Sequence, residues 1–131
     1  MASKISRRKT DHLRICATRN VNSSISAGFE DISLIHSSLP EIDLKDIDLT
    51  TTFLGHELSA PLVIEAMTGG TLKARPINKR LARVAETYGI AMGVGSQRAA
   101  IEEKSLKSTF TVVRENAPET FLIANIGAPQ L

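Results

Sequence analysis

Tryptophan is absent, and aromatic residues make up only 4% of the 131 residues. The core must therefore be aliphatic, and a 42% apolar content supplies enough side chains for one modest domain. A single cysteine, Cys16, excludes an internal disulfide and, without a Cys cluster, a structural zinc signature. That usage fits a reducing compartment, so a cytoplasmic location is the expectation. No apolar run approaches the ~20 residues of a membrane-spanning helix. The start of the chain lacks the apolar core of a secretion signal. A strong charge of one sign is also missing: a formal net charge of +2 makes no case for nucleic acid or a membrane as partner. No GxGxxG opens a helix, since Gly93-Val94-Gly95 lacks its third glycine, and there is no P-loop.

What is present centres on Ala60–Gly70, APLVIEAMTGG. Pro61 to Ala66 reads as a buried strand running out into Met67-Thr68-Gly69-Gly70. An apolar run bounded by Pro and Gly suits a parallel strand covered on both faces. The Gly pair lets backbone approach a bulky ligand where a Cβ would clash. A helix pattern follows, so this loop occupies the strand-to-helix position where α/β proteins hold anions and cofactors. An ordinary βα turn explains the same residues.

The basic residues are unevenly spread. Lys4, Arg7, Arg8, Lys9, Arg14 and Arg19 crowd the start, as a solvated face or an anion-binding arm. Ser6 caps a short helix there, running to Ile15 or Cys16, and NVNSSISAG is a loop. His12 shares a face with Arg8 and reads as a surface histidine. Phe29–Leu39 is irregular, with His36 structural. Phe53–Leu58 is a small hairpin turning at Gly55-His56, which leaves His56 without a chemical role. Pro76–Tyr88 is a helix burying Ile77, Leu81, Val84, Ala85 and Tyr88. Ile90–Val94 is a second strand. Ala99–Asn116 is one less regular helix with Leu106, Phe110 and Val113 buried. Phe121–Ala124 is a third strand.

The strand-end loops carry the most information. Thr68, Ser96 and Asn125 occupy equivalent places, separated by 28 and 29 positions (96 − 68 and 125 − 96). A βαβ unit takes about 30 residues. Right-handed crossovers would make the three strands parallel and gather Thr68, Ser96, Gln97, Arg98 and Asn125 on one edge. A doubly wound sheet and a (β/α)₈ barrel both satisfy this.

Four motifs, Arg8-Lys9-Thr10-Asp11-His12, Met67-Thr68-Gly69-Gly70, Gly95-Ser96-Gln97-Arg98 and Asn125-Ile126-Gly127-Ala128-Pro129-Gln130, follow one another in an order that resembles the type 2 isopentenyl diphosphate isomerases. The resemblance implies an FMN-dependent (β/α)₈ TIM barrel of which this chain is the N-terminal part. Residues 1–59 would be a basic arm and extension, and residues 60–131 the first βα units and first three strands. It implies interconversion of isopentenyl and dimethylallyl diphosphate by a 1,3-allylic proton shift in isoprenoid biosynthesis. Reduced FMN would serve as acid and base, NADPH would supply electrons and Mg²⁺ would grip the diphosphate. Ala66, Met67, Thr68, Ser96 and Asn125 would contact FMN. Arg8, Lys9, His12, Ser96, Gln97 and Arg98 would hold the diphosphate, and no metal ligand would fall within this chain. A homo-oligomer, often an octamer, is implied as well. Two other readings are a different FMN-dependent barrel, such as a hydroxy-acid oxidase, and a non-catalytic interaction module.

Overall fold

The computed structural model describes residues 4–128, so Pro129 and Gln130 of the fourth motif lie outside the described residues. Helix α1 spans Lys4–Thr18 and is longer than expected at both ends. Ser6 lies within its helical turns rather than capping it. A stripe of Ile5, Lys9, Thr10 and Leu13 is half-buried, and Ile5 packs on a cluster of Ala99, Leu106 and Phe110. Residues 19–50 then run without sheet or α-helix, apart from single 3₁₀ turns at Phe29–Asp31 and Leu44–Asp46. The second turn is closed by a capping box: the Asp43 carboxylate accepts from Lys45 N–H, and Asp46 accepts from Asp43 N–H. His36 is exposed, 3.4 Å from the Ser38 hydroxyl, and holds no core together.

Strands β1 (Thr51–Phe53) and β2 (His56–Leu58) form an antiparallel hairpin in which Phe53 pairs with His56. Its turn is Leu54-Gly55, one residue earlier than the sequence suggests, and both residues have positive φ (50° and 80°). That is the backbone of a two-residue hairpin turn matching strand twist. The shift moves His56 into the strand, where its ring lies 4.5 Å from the Phe121 ring, with Phe53 edge-on to Phe121 at 5.8 Å. The hairpin thus braces the residue that leads into the last strand.

Strands β3 (Val63–Ile64), β4 (Ala91–Gly93) and β5 (Leu122–Ile123) make a parallel sheet in sequential order, shorter than the apolar runs that contain them. Helices α2 (Ala74–Tyr88) and α4 (Ser108–Asn116) are the principal crossover helices. Ile64, Met92 and Leu122 meet Ala82, Ala85, Val112 and Val113 in one apolar cluster. The opposite sheet face is open among the described residues: Val63 is 43% exposed, and Ile123 is half-buried. Cover on both faces was the expectation, and only one face has it.

Helix α2 buries only part of the expected stripe: Ala85 is inside and Leu81 packs against the core as expected, but the rest of the buried face is different. Ala74, Asn78, Ala82 and Ala85 are inside, whereas Ile77, Val84 and Tyr88 face outward and Tyr88 is 67% exposed. Small side chains let α2 and α4 approach closely, and the larger residues are displaced to the flanks. The expected helix from Ala99 to Asn116 is broken into α3 (Arg98–Glu102), a 3₁₀ turn at Lys104–Leu106, and α4, because Glu103 adopts an extended backbone. Its buried stripe of Leu106, Phe110 and Val113 is as expected.

One carboxylate ties α2 to the approach of β5. Glu86 accepts from the Thr120 hydroxyl (2.6 Å), Thr120 N–H (3.0 Å) and Glu119 N–H (3.3 Å). The Thr120 hydroxyl, with help from the backbone N–H groups and Arg114, holds the Glu86 carboxyl below its ordinary value of 4.5. A carboxyl depressed in the folded state contributes stability above its unfolded pKa, and that stability is lost as pH falls through the folded value. Amide exchange at Glu119 and Thr120 is therefore expected to accelerate below pH 4.5 relative to Met92. Glu86→Gln should abolish that extra acid sensitivity, and equal acid responses in both proteins would count against the link.

Candidate functional site

Because β3, β4 and β5 are parallel, the segments leaving them emerge on one edge. Two main-chain hydrogen bonds join those segments: Gly95 N–H donates to the Thr68 carbonyl (3.3 Å), and Gln97 N–H donates to the Asn125 carbonyl (2.8 Å). The three loops that equal spacing places together are thus bonded in series. Thr68 is buried, Ala66, Ser96 and Gln97 are half-buried, and Met67 and Asn125 are exposed. Ala66 and Asn125 line one concavity of about 370 Å³ on the open side of the sheet. The Gln97 side chain turns inward and donates to the Gly95 carbonyl at 3.4 Å.

The glycine pair answers to the protein itself. A Cβ on Gly69 would lie 2.1 Å from the Phe110 ring, and one on Gly70, whose φ is +74°, would lie 2.5 Å from the Ala99 Cβ. The loop therefore lies flat against α3 and α4, and packing explains both glycines without a ligand.

Helix α1 docks against the same edge. The Thr10 and Thr71 hydroxyls are 3.0 Å apart, and the Lys9 stem passes over Gly70. Arg8, His12 and Arg98 line one cavity of about 690 Å³, together with Arg7 and Asp11. Lys9, His12, Met67 and Thr68 line another of about 340 Å³ beside Cys16. Burial, and after it the neighbouring Arg8 charge, lowers the Lys9 pKa from its usual value. Among the described residues the ion pairs are Arg14–Asp11, Lys45–Asp43, Arg75–Glu115 and Arg98–Glu102, so Arg8 and Lys9 have no carboxylate partner there. His12, read first as an exposed surface histidine, is exposed, and it borders both cavities.

Residues 2–118 match the sequence model of a family described as FMN-dependent dehydrogenase. The chain belongs to the FMN-dependent dehydrogenase family. It is 58% identical over 126 residues to the isopentenyl-diphosphate delta-isomerase of Methanoregula boonei, covering 96% of this chain and 35% of that protein. It is 54% identical to the proteins of the same name from Rickettsia bellii and Archaeoglobus fulgidus, covering 95% and 96% of this chain. In both of those the match covers 36% of the relative, so the chain spans about a third of the length of these curated relatives.

Two polar residues of this FMN-dependent dehydrogenase family member escaped sequence reasoning. Asn78 is 1% exposed and donates through Nδ2 to the Thr68 carbonyl (3.2 Å) and the Thr109 carbonyl (2.8 Å). Thr109 is fully buried; its hydroxyl donates to the Leu106 carbonyl (2.7 Å) and accepts from Gly70 N–H (2.9 Å). The available signal was a polar residue inside an otherwise apolar helical stripe, four positions from Ala74 and from Ala82. Among the described residues no group of three or more His, Cys, Asp or Glu side chains is placed to hold a metal, and no helix is long and apolar enough to cross a membrane.

Proposed function

We propose that the protein acts in isopentenyl-diphosphate isomerisation, moving a double bond by one carbon to interconvert isopentenyl and dimethylallyl diphosphate in isoprenoid biosynthesis. The observation that carries this reading is the meeting of two chemistries at one edge. Neutral hydrogen-bonding groups (Thr68, Ser96, Asn125) lie on the strand-end loops, and the cations Arg8, Lys9 and Arg98, with the His12 imidazole beside them, converge from α1 and the start of α3. The donor set fits FMN on the first side. The Thr68 and Ser96 hydroxyls, the Asn125 amide and the main chain of Ala66 and Met67 match the mixed donor and acceptor rim of a flat, neutral ring system. Reduced FMN, when bound, supplies the acid–base chemistry of the redox-neutral shift.

On the second side, arginine offers a planar fork to phosphate oxygens and lysine a point charge. Arg8, Lys9 and Arg98 bind and orient the diphosphate, with His12 beside them, while Ser96 and Gln97 donate from the intervening loop. An arriving diphosphate would also favour the charged form of Lys9, opposing the desolvation that lowers its pKa. Protonating an alkene places positive charge on carbon, so the site must exclude water from the reacting atoms. Met67 and Leu13 of α1, which line the cavity of about 340 Å³, are the apolar groups placed to give that cover.

The same reading extends to residues 60–131 as the opening βα units of a TIM barrel, with residues 1–59 as arm and extension. Sequential parallel strands with α2 and α4 packed against one face support it, since a barrel keeps its helices outside. NADPH as electron source, Mg²⁺ on the diphosphate, a cytoplasmic location and a homo-oligomeric, octameric assembly belong to the same proposal. An FMN-dependent oxidase would share the family. The cationic arm beside the sheet edge favours a diphosphate substrate instead. Full-length protein with reduced FMN, Mg²⁺ and isopentenyl diphosphate is expected to yield dimethylallyl diphosphate. Flavin-loaded protein that makes none would end the assignment.

A further inference from the structure

We propose that Thr109 and Asn78 are positioning residues that set the backbone of Thr68–Gly70, and through it the flavin-facing groups of Ala66–Thr68. This rests on the flavin reading given above. The loop is pinned from three elements. The Thr68 carbonyl accepts from Asn78 on α2 and from Gly95 N–H after β4. Gly70 N–H donates to Thr109 on α4. Asn78 also donates to the Thr109 main-chain carbonyl, so the side chain that holds Thr68 is bonded to the backbone of the residue whose hydroxyl holds Gly70.

The burial of these groups makes the arrangement costly to alter. Asn78 is 1% exposed and Thr109 fully buried, so neither can be replaced by water without repacking α2 against α4. An apolar residue at position 109 would fill the space and leave Gly70 N–H without that partner, and one at position 78 would leave the Thr68 carbonyl with Gly95 N–H alone. Nothing about a plain strand-to-helix turn requires two buried polar side chains from two different helices to fix three consecutive residues. A loop whose main chain must meet a rigid ring within a fraction of an ångström does require it. The Phe110 ring against Gly69 closes the remaining freedom from below.

Thr109→Val keeps the shape and removes the hydroxyl; Thr109→Ser keeps the hydroxyl. In the full-length protein, Thr109→Val is expected to weaken FMN binding about tenfold and to lower kcat, with KM for isopentenyl diphosphate within about twofold. The flavin absorption band should shift in the same variant, and Thr109→Ser should restore both affinity and spectrum. A folded Thr109→Val protein with the original FMN affinity and spectrum overturns the proposal and leaves Thr109 a packing residue. If that variant does not fold, hydrogen exchange on the unaltered apoprotein decides. The Gly70 amide is expected to be protected before FMN is added, and free exchange there overturns the proposal. Unaltered protein that takes up FMN but makes no dimethylallyl diphosphate refutes the reaction alone, and the FMN affinities still judge Thr109. Unaltered protein that takes up no FMN refutes both.

Discussion

Arg8→Ala and Arg98→Ala, each made in the full-length protein, are expected to raise KM for isopentenyl diphosphate by about 10- to 150-fold, from the ~1.5–3 kcal/mol carried by hydrogen bonds to charged groups. FMN affinity should change far less, because neither side chain lies on the neutral part of the edge. The two guanidinium groups come from elements distant in sequence, yet they line one cavity. Arg98 is held through its Nε by Glu102, which leaves its terminal nitrogens for a ligand. Both members of that pair are substantially exposed, at 48% and 40%, so the pair itself adds at most about 1 kcal/mol to stability. A large loss in Arg98→Ala would therefore report on substrate rather than on folding. Arg98→Lys should recover little, since an ammonium cannot keep the Glu102 contact and offer a fork at once. Steady-state constants unchanged in both alanine variants would remove the arm and α3 from the substrate site.

Residues 1–131 prepared alone are expected to bind no FMN in the micromolar range and to turn over no substrate. The parallel strands are two or three residues long, and one sheet face is open among the described residues. Leu34, Ile35, Leu39 and Leu44 are 82–101% exposed. At ~25 cal/mol per Å² of apolar surface, several aliphatic side chains left in water consume a large part of a domain's ~5–15 kcal/mol margin. β3 and β5 also present strand edges that have no partner among the described residues. The cofactor side is partial too: barrel enzymes rest phosphate on loops after strands 7 and 8, and the chain spans about a third of its curated relatives. Titrating the purified chain with FMN while following flavin fluorescence, then assaying with reduced flavin and Mg²⁺, checks this. Saturable binding together with turnover would sink it.

The sheet was legible because its signal is local and repeated. Three apolar runs, each ending in polar or glycine residues at nearly equal intervals, sufficed for parallel order and a shared edge. The face of α2 was legible only in part, at Leu81 and Ala85. Its buried positions are Ala74, Asn78, Ala82 and Ala85, chosen for small size at a close helix contact, whereas a hydrophobic pattern favours Ile77, Val84 and Tyr88. The hairpin was off by one because Leu54 adopts positive φ, which its side chain gives no reason to expect. The site divides in the same way. The residues matched by motif fall along one edge and its arm, but the contact that brings the arm there, Thr10 to Thr71, spans 61 positions and leaves no local trace. Asn78 and Thr109 were missed because a buried polar residue is recognisable only once its partners are known.

The connector between α1 and the hairpin, residues 19–50, has a consequence for how the chain tolerates changes of length. It carries two isolated 3₁₀ turns and no ladder, so its main task is to keep α1 near the edge where α1 docks. The entropy of closing such a connector grows only logarithmically, and doubling its length costs about 0.6 kcal/mol. Insertions or deletions there leave the local concentration of Arg8 and Lys9 at the edge nearly constant. The stretch from Thr68 to Asn125 has no such latitude. One residue added within a strand turns every following side chain of that strand to the other face, and the bonds from Gly95 to Thr68 and from Gln97 to Asn125 cannot survive it. The chain is thus elastic on one side of the hairpin and metrically fixed on the other.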